Sequence, residues 1–311
     1  MSFSFVHIVN AVSESENKSL FELQNLTLAS MQKAKSYSSY SIEQVLCYHK
    51  DYPVKNDAFK QYPPLEKSIQ DIGTFSNKKK LPLLKDILKL AYENSQADYI
   101  IYSNADIGLM LPFYNAIGKY IEQGHDAIVI NRRRIKSTLN KPEYLDLIYT
   151  ETGKEHLGFD MFVFKRDLFP KFILNNTCIG IPFVGNDLFY NLFCFAQNPI
   201  LLTKQHLTFH IGLELIKDWG GADMKNHNYR EFRKTTKALL PHMQIAKFPG
   251  AELSFFKRHI KWLMNPTLSY PEMCITDLKQ LGAKRHAKKV YDPNYKKQSY
   301  YEWLLKKVNF D

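Results

Sequence analysis

Asp106 is the residue of this chain with the clearest chemical potential, because it follows closely on the apolar segment 97–103. An apolar run of that length predicts a buried strand, and an acid just past its end lies where a sheet binds ligands. A carboxylate there can hold a hard divalent cation such as Mg²⁺ or Mn²⁺ against a phosphate. The alternative is structural, since Asp is also a preferred residue in turns and at helix starts.

Further polar residues stand where predicted strands end. Strands are predicted at residues 3–9, 42–48, 97–103 and 126–130, and segments with near-helical apolar spacing lie between them. This alternation with short links predicts an α/β fold with a mostly parallel central sheet flanked by helices. Ligands of such sheets lie beyond the carboxyl ends of the strands. The polar residues at or just past these ends are Asn10, His49, Asn104, Asp106 and Arg132.

The second half of the chain continues the pattern before it loosens. Residues 159–164 predict another strand, 187–196 an aromatic-rich buried helix, and 200–210 two short strands. Regular spacing weakens from Asp218 onward. The segment 300–308 predicts a short, basic amphipathic helix. We therefore expect an α/β core followed by a basic, mainly helical C-terminal appendage.

Composition excludes several classes of protein. A chain of 311 residues with 45% hydrophobic and 14% aromatic content predicts a folded core rather than a disordered protein. The four cysteines form no Cys-x-x-Cys pair, so neither a zinc site nor a disulfide framework is indicated. Neither Gly-x-x-x-x-Gly-Lys-Ser/Thr nor Gly-x-Gly-x-x-Gly occurs, which leaves a P-loop ATPase and a dinucleotide oxidoreductase without support.

Charge is concentrated in the last third of the sequence. Residues 217–311 contain 19 Lys/Arg and 9 Asp/Glu, a net charge of +10. Residues 1–216 contain 23 Lys/Arg and 22 Asp/Glu, a net charge of +1. Such a region attracts phosphate-rich partners, whether nucleic acid, an anionic membrane or an acidic polymer, without identifying which. The start lacks a secretory signal, and no stretch approaches the roughly 18 apolar residues of a spanning helix, so we expect a soluble, cytoplasmic protein.

The acidic segment and two later ones together resemble a known family. Ser103-Asn104-Ala105-Asp106-Ile107 resembles the short acidic motif of nucleotide-sugar glycosyltransferases of the GT-A fold, similar to family 2, with Asn104 where the first Asp usually stands. Segments 156–164 and 183–189 add to this resemblance, which extends over roughly residues 3 to 215 and assigns no subfamily. It implies a GT-A-like domain that transfers a sugar from a nucleotide-sugar donor.

The resemblance implies a divalent metal, Mn²⁺ or Mg²⁺, as the cofactor. Asp106 is the expected ligand, and His210 on a late predicted strand stands where many such enzymes place a further metal contact. An imidazole suits Mn²⁺, but a histidine beside an apolar strand can equally be a hydrogen-bonded core or rim residue. Asn104 in place of an acid weakens the case for tight metal binding.

Four residues are expected to seat the donor: Asn10, Lys80, Asn104 and Arg132. Lys80 precedes the motif by one predicted helix, as basic residues do in many GT-A enzymes, and would meet donor phosphates at the start of that helix. The alternative for Lys80 is a solvated lysine run. Arg132 lies in a run of three arginines that would hold donor phosphates or an anionic acceptor. An Asn offers a carbonyl oxygen or an amide to the ribose.

The expected general base is Asp187, because GT-A enzymes commonly place an acid at the start of a helix below the acceptor site. A carboxylate there can be aimed at the attacking hydroxyl. The alternative is an ordinary helix N-cap. Acceptor contacts are expected from His156, Asp160 and Trp219, of which Asp160 can instead be a strand-end hydrogen-bond acceptor and Trp219 a buried anchor for the tail.

The sequence as a whole predicts a GT-A-like catalytic domain over residues 1–215 and a basic C-terminal extension over residues 216–311. We expect sugar transfer to a glycan or lipid-linked acceptor in cell-surface polysaccharide biosynthesis. The extension would pack on the core or contact the acceptor or an anionic membrane, which would make the protein peripheral at the inner face of that membrane. Nucleic acid is not the expected partner.

Two alternatives stay open at this point. A sugar nucleotidyltransferase would need a Gly-rich, basic loop after the first strand, and residues 10–14 supply none. A non-catalytic protein with a degenerate transferase core would bind nucleotide or glycan without turning it over. Asn104 is the feature that favours this second alternative.

Overall fold

The computed structural model describes residues 3–136, 138–156, 158–212 and 220–291. The chain divides into two compact units, Met1–Thr235 and Thr236–Asp311. The boundary predicted after residue 215 stays a prediction. Trp219 and the predicted helix at 300–308 lie outside the described residues.

The first unit contains two sheets. The strands in chain order are β1 Ser4–Asn10, β2 Ser41–Cys47, β3 Lys60–Gln61, β4 Tyr99–Ser103, β5 Gly108–Leu109, β6 Ala127–Ile130, β7 Arg133–Ile135, β8 Lys154–Glu155, β9 Met161–Lys165, β10 Pro199–Leu202 and β11 Thr208–Ile211. Seven of them form one sheet in the order β10-β6-β9-β4-β1-β2-β3, and four form a smaller sheet in the order β5-β11-β7-β8.

Helices lie between these strands and after the last of them. They are α1 Lys18–Tyr37, α2 Leu84–Asn94, α3 Phe113–Glu122, α4 Leu145–Ile148, α5 Val184–Phe195 and α6 Gly221–Leu239, with short 3-10 helices at Ile69–Asp71, Pro142–Tyr144 and Arg166–Lys171. The Asn17 side chain caps the start of α1 by accepting from the Leu20 amide at 3.1 Å. Strand β4 is buried along its whole length, and core side chains such as Met31 and Phe113 belong to the same apolar cluster as Ile101.

The predicted α/β fold with a mostly parallel central sheet is confirmed. Strand β1 pairs in parallel with both β2 and β4, and β6 pairs in parallel with β10. Strand β9 is the exception, since it runs antiparallel to both β4 and β6. Its first residue therefore lies at the edge where β4 and β6 end, because Met161 pairs with both Ser103 and Ile130.

The second, smaller sheet fixes the chain that follows β4. Strand β5 pairs with β11 so that Gly108 lies opposite Phe209, and Phe209 also lies opposite Arg133 of β7. A Cβ atom on Gly108 would lie 2.2 Å from the Phe209 ring, so only glycine permits this approach. The loop 104–107 is thereby held beside His210.

The second unit is helical where it is described, as predicted for the appendage. It contains 3-10 helices at Leu240–His242 and Ile245–Lys247, followed by α7 Phe255–Leu263 and α8 Tyr270–Tyr291. The two α-helices are joined by a buried ion pair, in which the Arg258 guanidinium donates to the Asp277 carboxylate at 2.6 to 2.9 Å. Within the described ranges, no helix combines the length and apolarity needed to cross a bilayer.

Candidate functional site

Asp106 lies in the loop after β4 and contacts His210 of β11. The Asp106 Oδ2 atom is 3.2 Å from His210 Nε2, and the side chains are 24% and 13% exposed. The pairing of β5 with β11 produces this contact, since it places the chain two residues after Asp106 against the residue before His210. The structure thus brings together the two residues predicted to hold a metal.

The environment of Asp106 keeps its carboxylate charged. Burial by itself would raise the pKa of Asp106, but the hydrogen bond and charge of His210 and the charge of Arg132 outweigh it. The net effect is a pKa below the usual range of an aspartate. Asp106 is therefore ionised at neutral pH.

Arg132 and Asp160 form an ion pair at the same edge of the central sheet. Arg132 follows β6 and Asp160 precedes the antiparallel β9, and their side chains are only 12% and 8% exposed. The Arg132 guanidinium donates to Asp160 Oδ1. Burial raises the pKa of Asp160, and the negative charge of Asp106 raises it further. The positive charge of Arg132 lowers it, but the pKa stays above the usual value of an aspartate. The two acids therefore influence each other's ionisation.

His156 completes this group of side chains. Its Nδ1 atom lies 3.7 Å from Asp160 Oδ2 and accepts a hydrogen bond from the Gly158 amide at 2.8 Å. The Asn131 side chain donates to the His156 carbonyl at 2.9 Å. Five residues predicted to contact donor, metal or acceptor thus lie near one another, and we call them the strand-edge group: Asp106, Arg132, His156, Asp160 and His210.

A divalent metal would find two protein ligands in this group. Asp106 supplies a carboxylate oxygen and His210 an imidazole nitrogen, a donor set that suits Mn²⁺. In the ranges that the structure describes, three or more His, Cys, Asp or Glu side chains are nowhere arranged to hold a metal ion. Asp106 and His210 by themselves therefore supply two of the ligands that a divalent metal needs.

Asn10 and Asn104 lie at neighbouring strand ends of the same edge. Asn104 is half-buried, and its Oδ1 atom accepts a hydrogen bond from the Tyr102 hydroxyl at 3.3 Å. Asn10 is 8% exposed, with its amide 3.5 Å from the Ala11 carbonyl. The amide of Asn104 is thereby oriented by the strand that precedes it.

Lys80 belongs to a different group of charges. Its ammonium pairs with the Asp51 carboxylate, and Asp51 lies 3.9 Å from the imidazole of the buried His49, just past the end of β2. Lys80 precedes α2, which begins at Leu84, so it does not lie in the first turn of that helix. A donor phosphate at Lys80 would therefore compete with Asp51.

Asp187 lies in the interior, in the first turn of α5, and is fully buried. The Thr177 hydroxyl donates to its Oδ2 atom. The helix begins at Val184 with Phe183 as its N-cap, so Asp187 is not the cap residue and that alternative is wrong. Burial raises the pKa of Asp187 to about 7 and the charge of Glu231 adds to this, while hydrogen bonds from Thr177 and Thr235 oppose it.

The start of α5 packs against the chain that leads to Asp160. A Cβ atom on Gly185 would lie 2.4 Å from the Phe159 carbonyl oxygen, and the rings of Phe159 and Phe189 stack with centroids 4.4 Å apart. Glycine at position 185 is what allows this close backbone contact. The helix that carries Asp187 is thus fixed to the segment that carries Asp160.

Sequence reasoning did not find the partners that define these environments. Thr177 and Glu231 surround Asp187, and Asp51 pairs with Lys80, yet none of them stands in a recognisable motif. Their positions follow from long-range packing, for which a single sequence carries no local signal. Trp219, predicted as an acceptor contact, lies outside the described residues.

Comparison with family models gives no match, and comparison with curated proteins gives none either. Among solved structures, the chain is similar to S. aureus TarS 1-349 in complex with UDP-GlcNAc, with a TM-score of 0.41, 12% identity, and 84% of this chain and 73% of that chain covered.

Two further solved structures are similar to this chain. Glucosyl-3-phosphoglycerate synthase from Mycobacterium tuberculosis with Mn²⁺, UDP and phosphoglyceric acid gives a TM-score of 0.42, 10% identity, and coverage of 76% of this chain and 78% of that one. The catalytic domain of Drosophila beta1,4-galactosyltransferase 7 with xylobiose gives a TM-score of 0.42 and 10% identity, and 74% of this chain and 80% of that chain are covered. One of the three is named a galactosyltransferase, and the other two are described with UDP-GlcNAc or with Mn²⁺ and UDP; at these TM-scores the likeness decides nothing about the reaction of this chain.

Proposed function

We propose that this protein is a glycosyltransferase that moves a sugar from a nucleotide-sugar donor to a glycan or lipid-linked acceptor. The observation that supports this most directly is the strand-edge group, in which the charged Asp106 contacts His210 while Arg132 pairs with Asp160. Such a group lies where open α/β sheets bind ligands, beyond the ends of β4 and β6. The cell-surface polysaccharide pathway is proposed as its setting.

Loss of a nucleoside diphosphate from a sugar places growing negative charge on a phosphate oxygen. The reaction therefore needs positive groups fixed at that oxygen. Arg132 supplies a guanidinium at the strand edge, and His210 supplies an imidazole that Asp106 orients through their 3.2 Å contact. Asn10 and Asn104 are proposed to hydrogen-bond the donor, and Lys80 to meet its phosphates after leaving Asp51.

Mn²⁺ or Mg²⁺ is the proposed cofactor, held by Asp106 and His210. When bound, it would supply charge neutralisation at the donor diphosphate. The residues of the chain orient that site: the β5–β11 pairing fixes the distance between Asp106 and His210, and the hydrogen bond of His210 together with the charge of Arg132 lowers the pKa of Asp106.

Asp187 is proposed as the general base that takes the proton of the acceptor hydroxyl. Its raised pKa, about 7, suits proton transfer near neutral pH. Because the side chain is fully buried, this role requires a movement that exposes its carboxylate to the acceptor. His156, Asp160 and Trp219 are proposed to contact the acceptor.

The basic C-terminal region is proposed to hold the protein at an anionic acceptor or membrane surface, which would make it a peripheral protein of the cytoplasmic face. Its charge supports this, since residues 217–311 carry a net charge of +10.

The proposal is tested by donor hydrolysis, because a transferase without its acceptor still hydrolyses its donor slowly. Thermal stabilisation by a panel of nucleotide sugars, beginning with UDP-GlcNAc, first identifies a donor that binds the native state. Hydrolysis of that donor is then measured with Mn²⁺, with Mg²⁺ and with a chelator. We expect turnover that depends on the metal and is lost in Asp106→Asn.

A non-catalytic binding protein is the second candidate, favoured by Asn104 in place of an acid and by the two-ligand metal set. It predicts stabilisation by a nucleotide sugar with no hydrolysis under any metal condition.

Asp187→Asn tests the proposed general base separately from donor binding. We expect the donor to bind as before and the rate of sugar transfer to fall about a hundredfold or more. An unchanged transfer rate would show that Asp187 is not the base.

A further inference from the structure

Helix α7 of the second unit has an exposed apolar face. Ile260 and Leu263 are each 63% exposed and Met264, directly after the helix, is 76% exposed. Their spacing of three and four residues places them on one side of the helix. Large exposed apolar residues that are contiguous mark a surface that another partner covers.

The opposite face of α7 holds the helix in its own unit. Arg258 and His259 both bond to the Asp277 carboxylate, and the fully buried Trp262 donates through its indole nitrogen to the Pro249 carbonyl at 2.8 Å. These contacts account for the fold of the helix without the exposed side. The exposed apolar residues are therefore not needed for packing within this unit.

Lysines accompany the exposed apolar residues. Lys257 and Lys261 of α7 are both exposed, one turn apart. Over residues 236–291 the chain has ten Lys/Arg and three Asp/Glu, a net charge of +7. On α8, Ile275 and Leu278 are 46% and 48% exposed beside the exposed Lys279. The exposed apolar side chains thus belong to a segment with a strongly positive net charge.

The combination identifies the chemistry of the partner. An acidic polymer would pair with the lysines but leave Ile260, Leu263 and Met264 in water. A neutral apolar protein surface would cover those three but would not match the net positive charge of residues 236–291. An anionic lipid surface satisfies both, because its headgroups attract Lys and Arg and its acyl boundary accepts apolar side chains.

We propose that α7 lies in the plane of an anionic membrane, with Ile260, Leu263 and Met264 inserted at the headgroup–acyl boundary and Lys257 and Lys261 at lipid phosphates. A helix of nine residues gives shallow, reversible binding. This refines the membrane contact proposed above but not the reaction, so loss of vesicle binding and loss of donor hydrolysis are separate results.

The test is co-sedimentation of the full-length protein with vesicles of phosphatidylcholine, with or without phosphatidylglycerol. We expect binding to the anionic vesicles at least about tenfold tighter than to the neutral ones, weakening with added salt. The double variant Ile260→Ser/Leu263→Ser changes no charge and is expected to weaken this binding about tenfold. Lys257→Ala/Lys261→Ala should weaken it to a similar degree.

A matched control is Leu147→Ser in α4, which removes a leucine that is 55% exposed in the first unit and should leave vesicle binding unchanged. All variants are checked by thermal unfolding, and since the replaced side chains are exposed, their midpoints should equal that of the wild type. Equal binding to neutral vesicles, or no binding to either, overturns the proposal.

Two other results would also overturn it. If the serine variant binds as the wild type does and only the lysine variant weakens, the surface recognises charge alone, as an acidic polymer would require. If size-exclusion chromatography shows a dimer in the wild type that the serine variant loses while vesicle binding persists, a second copy of the chain covers this face.

Discussion

Asp106 in the strand-edge group and Asp187 in α5 have surroundings that shift the pKa of the carboxylate in opposite directions. In the strand-edge group, Asp106 contacts the imidazole of His210 and lies near the guanidinium of Arg132. Asp187 in α5 has the hydroxyl of Thr177 as its neighbour, with the charge of Glu231 nearby. The pKa of Asp106 is accordingly lowered, whereas that of Asp187 is raised to about 7.

The contrast shows how environment assigns different chemistry to one residue type. A carboxylate kept ionised by cations can hold charge against a phosphate, and one surrounded by neutral donors can exchange a proton near neutral pH. Gly185 joins the two regions physically, through its contact with Phe159 beside Asp160. The variants below alter one region at a time.

The largest effect is expected from removing the charge of Asp106. Asp106→Asn keeps the shape of the side chain but removes the anion that contacts His210. We expect donor hydrolysis to fall about a thousandfold, which corresponds to about 4 kcal/mol of transition-state stabilisation. Asp57→Asn, at an exposed position, is the control and should hydrolyse the donor as the wild type does. A rate within twofold of the wild type would exclude Asp106 from the reaction.

Removing Arg132 makes the strand edge resemble the surroundings of Asp187. Arg132→Met leaves Asp160 buried without its guanidinium partner, and breaking a buried ion pair in this way costs about 3 to 4 kcal/mol of stability. The pKa of Asp160, already raised, rises further. The loss of stability is therefore largest at alkaline pH, where Asp160 of the folded variant is ionised. It becomes smaller as the pH falls and Asp160 takes up a proton.

Urea unfolding of Arg132→Met at pH 8 and pH 5 measures this cost. Lys33→Met is the control, because Lys33 also forms an ion pair, with Asp146 at 2.8 Å, but on the surface with side chains 44% and 84% exposed. Its loss should change the free energy of unfolding by less than about 1 kcal/mol. Equal losses in the two variants would mean that the Arg132–Asp160 pair is not buried as described.

The next prediction concerns the proton on Asp187. With a pKa near 7 in the folded protein and 3.8 as its ordinary value, the folded state binds a proton that the unfolded state releases between these pH values. Stability contributed by this proton is lost as the pH rises from about 4 to 7. Between pH 5 and pH 8, Asp187→Asn should remove about 3 kcal/mol of that pH dependence.

The measurement compares the free energy of unfolding of Asp187→Asn and wild type across this range. Asp167→Asn is the control, because the Asp167 side chain is 72% exposed and should leave the profile unchanged. Parallel pH profiles for wild type and Asp187→Asn would contradict the raised pKa and with it the contrast between the two regions.

Gly185→Ala tests the junction between the regions. Its Cβ atom would lie 2.4 Å from the Phe159 carbonyl oxygen, and since the obstacle is backbone, α5 or the segment before β9 must shift. We expect a loss of about 2 kcal/mol in stability, measured by urea unfolding. Gly282→Ala in α8 is the matched control: nothing lies within 4 Å of the new atom, so it should stabilise by about 0.5 to 1 kcal/mol. A neutral Gly185→Ala would show that the junction is loose.

The sequence predicted the central sheet because strands have local signals, whereas the expectation that Asp106 and His210 meet came from the resemblance to GT-A enzymes. Apolar runs marked the strands, and parallel strands bring their ends to one edge. The antiparallel direction of β9 has no such signal, since an apolar run predicts a strand but not the direction of that strand in the sheet. Helix α6, Gly221–Leu239, lies in the region predicted to be mainly helical, but its bounds were not predicted because its sequence is largely polar.

The environments of single side chains could not be predicted from the sequence. Asp187 was expected at a helix start, and it does lie in a first turn, but its burial depends on Thr177, which is ten residues away along the chain, and on α6. Lys80 was expected beside a helix start, yet its partner Asp51 comes from the loop after β2. Such contacts follow from tertiary packing, which periodicity does not encode.

The smallest effect is expected from Lys80, which tests whether the donor extends beyond the strand-edge group. Lys80→Met removes a cation that pairs on the surface with Asp51, where the side chains are 44% and 39% exposed, so the thermal midpoint should hardly change. If donor phosphates replace Asp51, donor affinity measured by calorimetry should weaken about fivefold, or about 1 kcal/mol. Asp51→Asn should instead strengthen donor binding, because it frees Lys80 for the phosphate.

Lys60→Met is the control, since Lys60 forms a similar exposed pair, with Glu43 at 3.0 Å, and its loss should leave donor affinity unchanged. If Lys80→Met and Lys60→Met bind the donor alike, Lys80 does not meet the phosphates, and the donor is held by the strand-edge group without it.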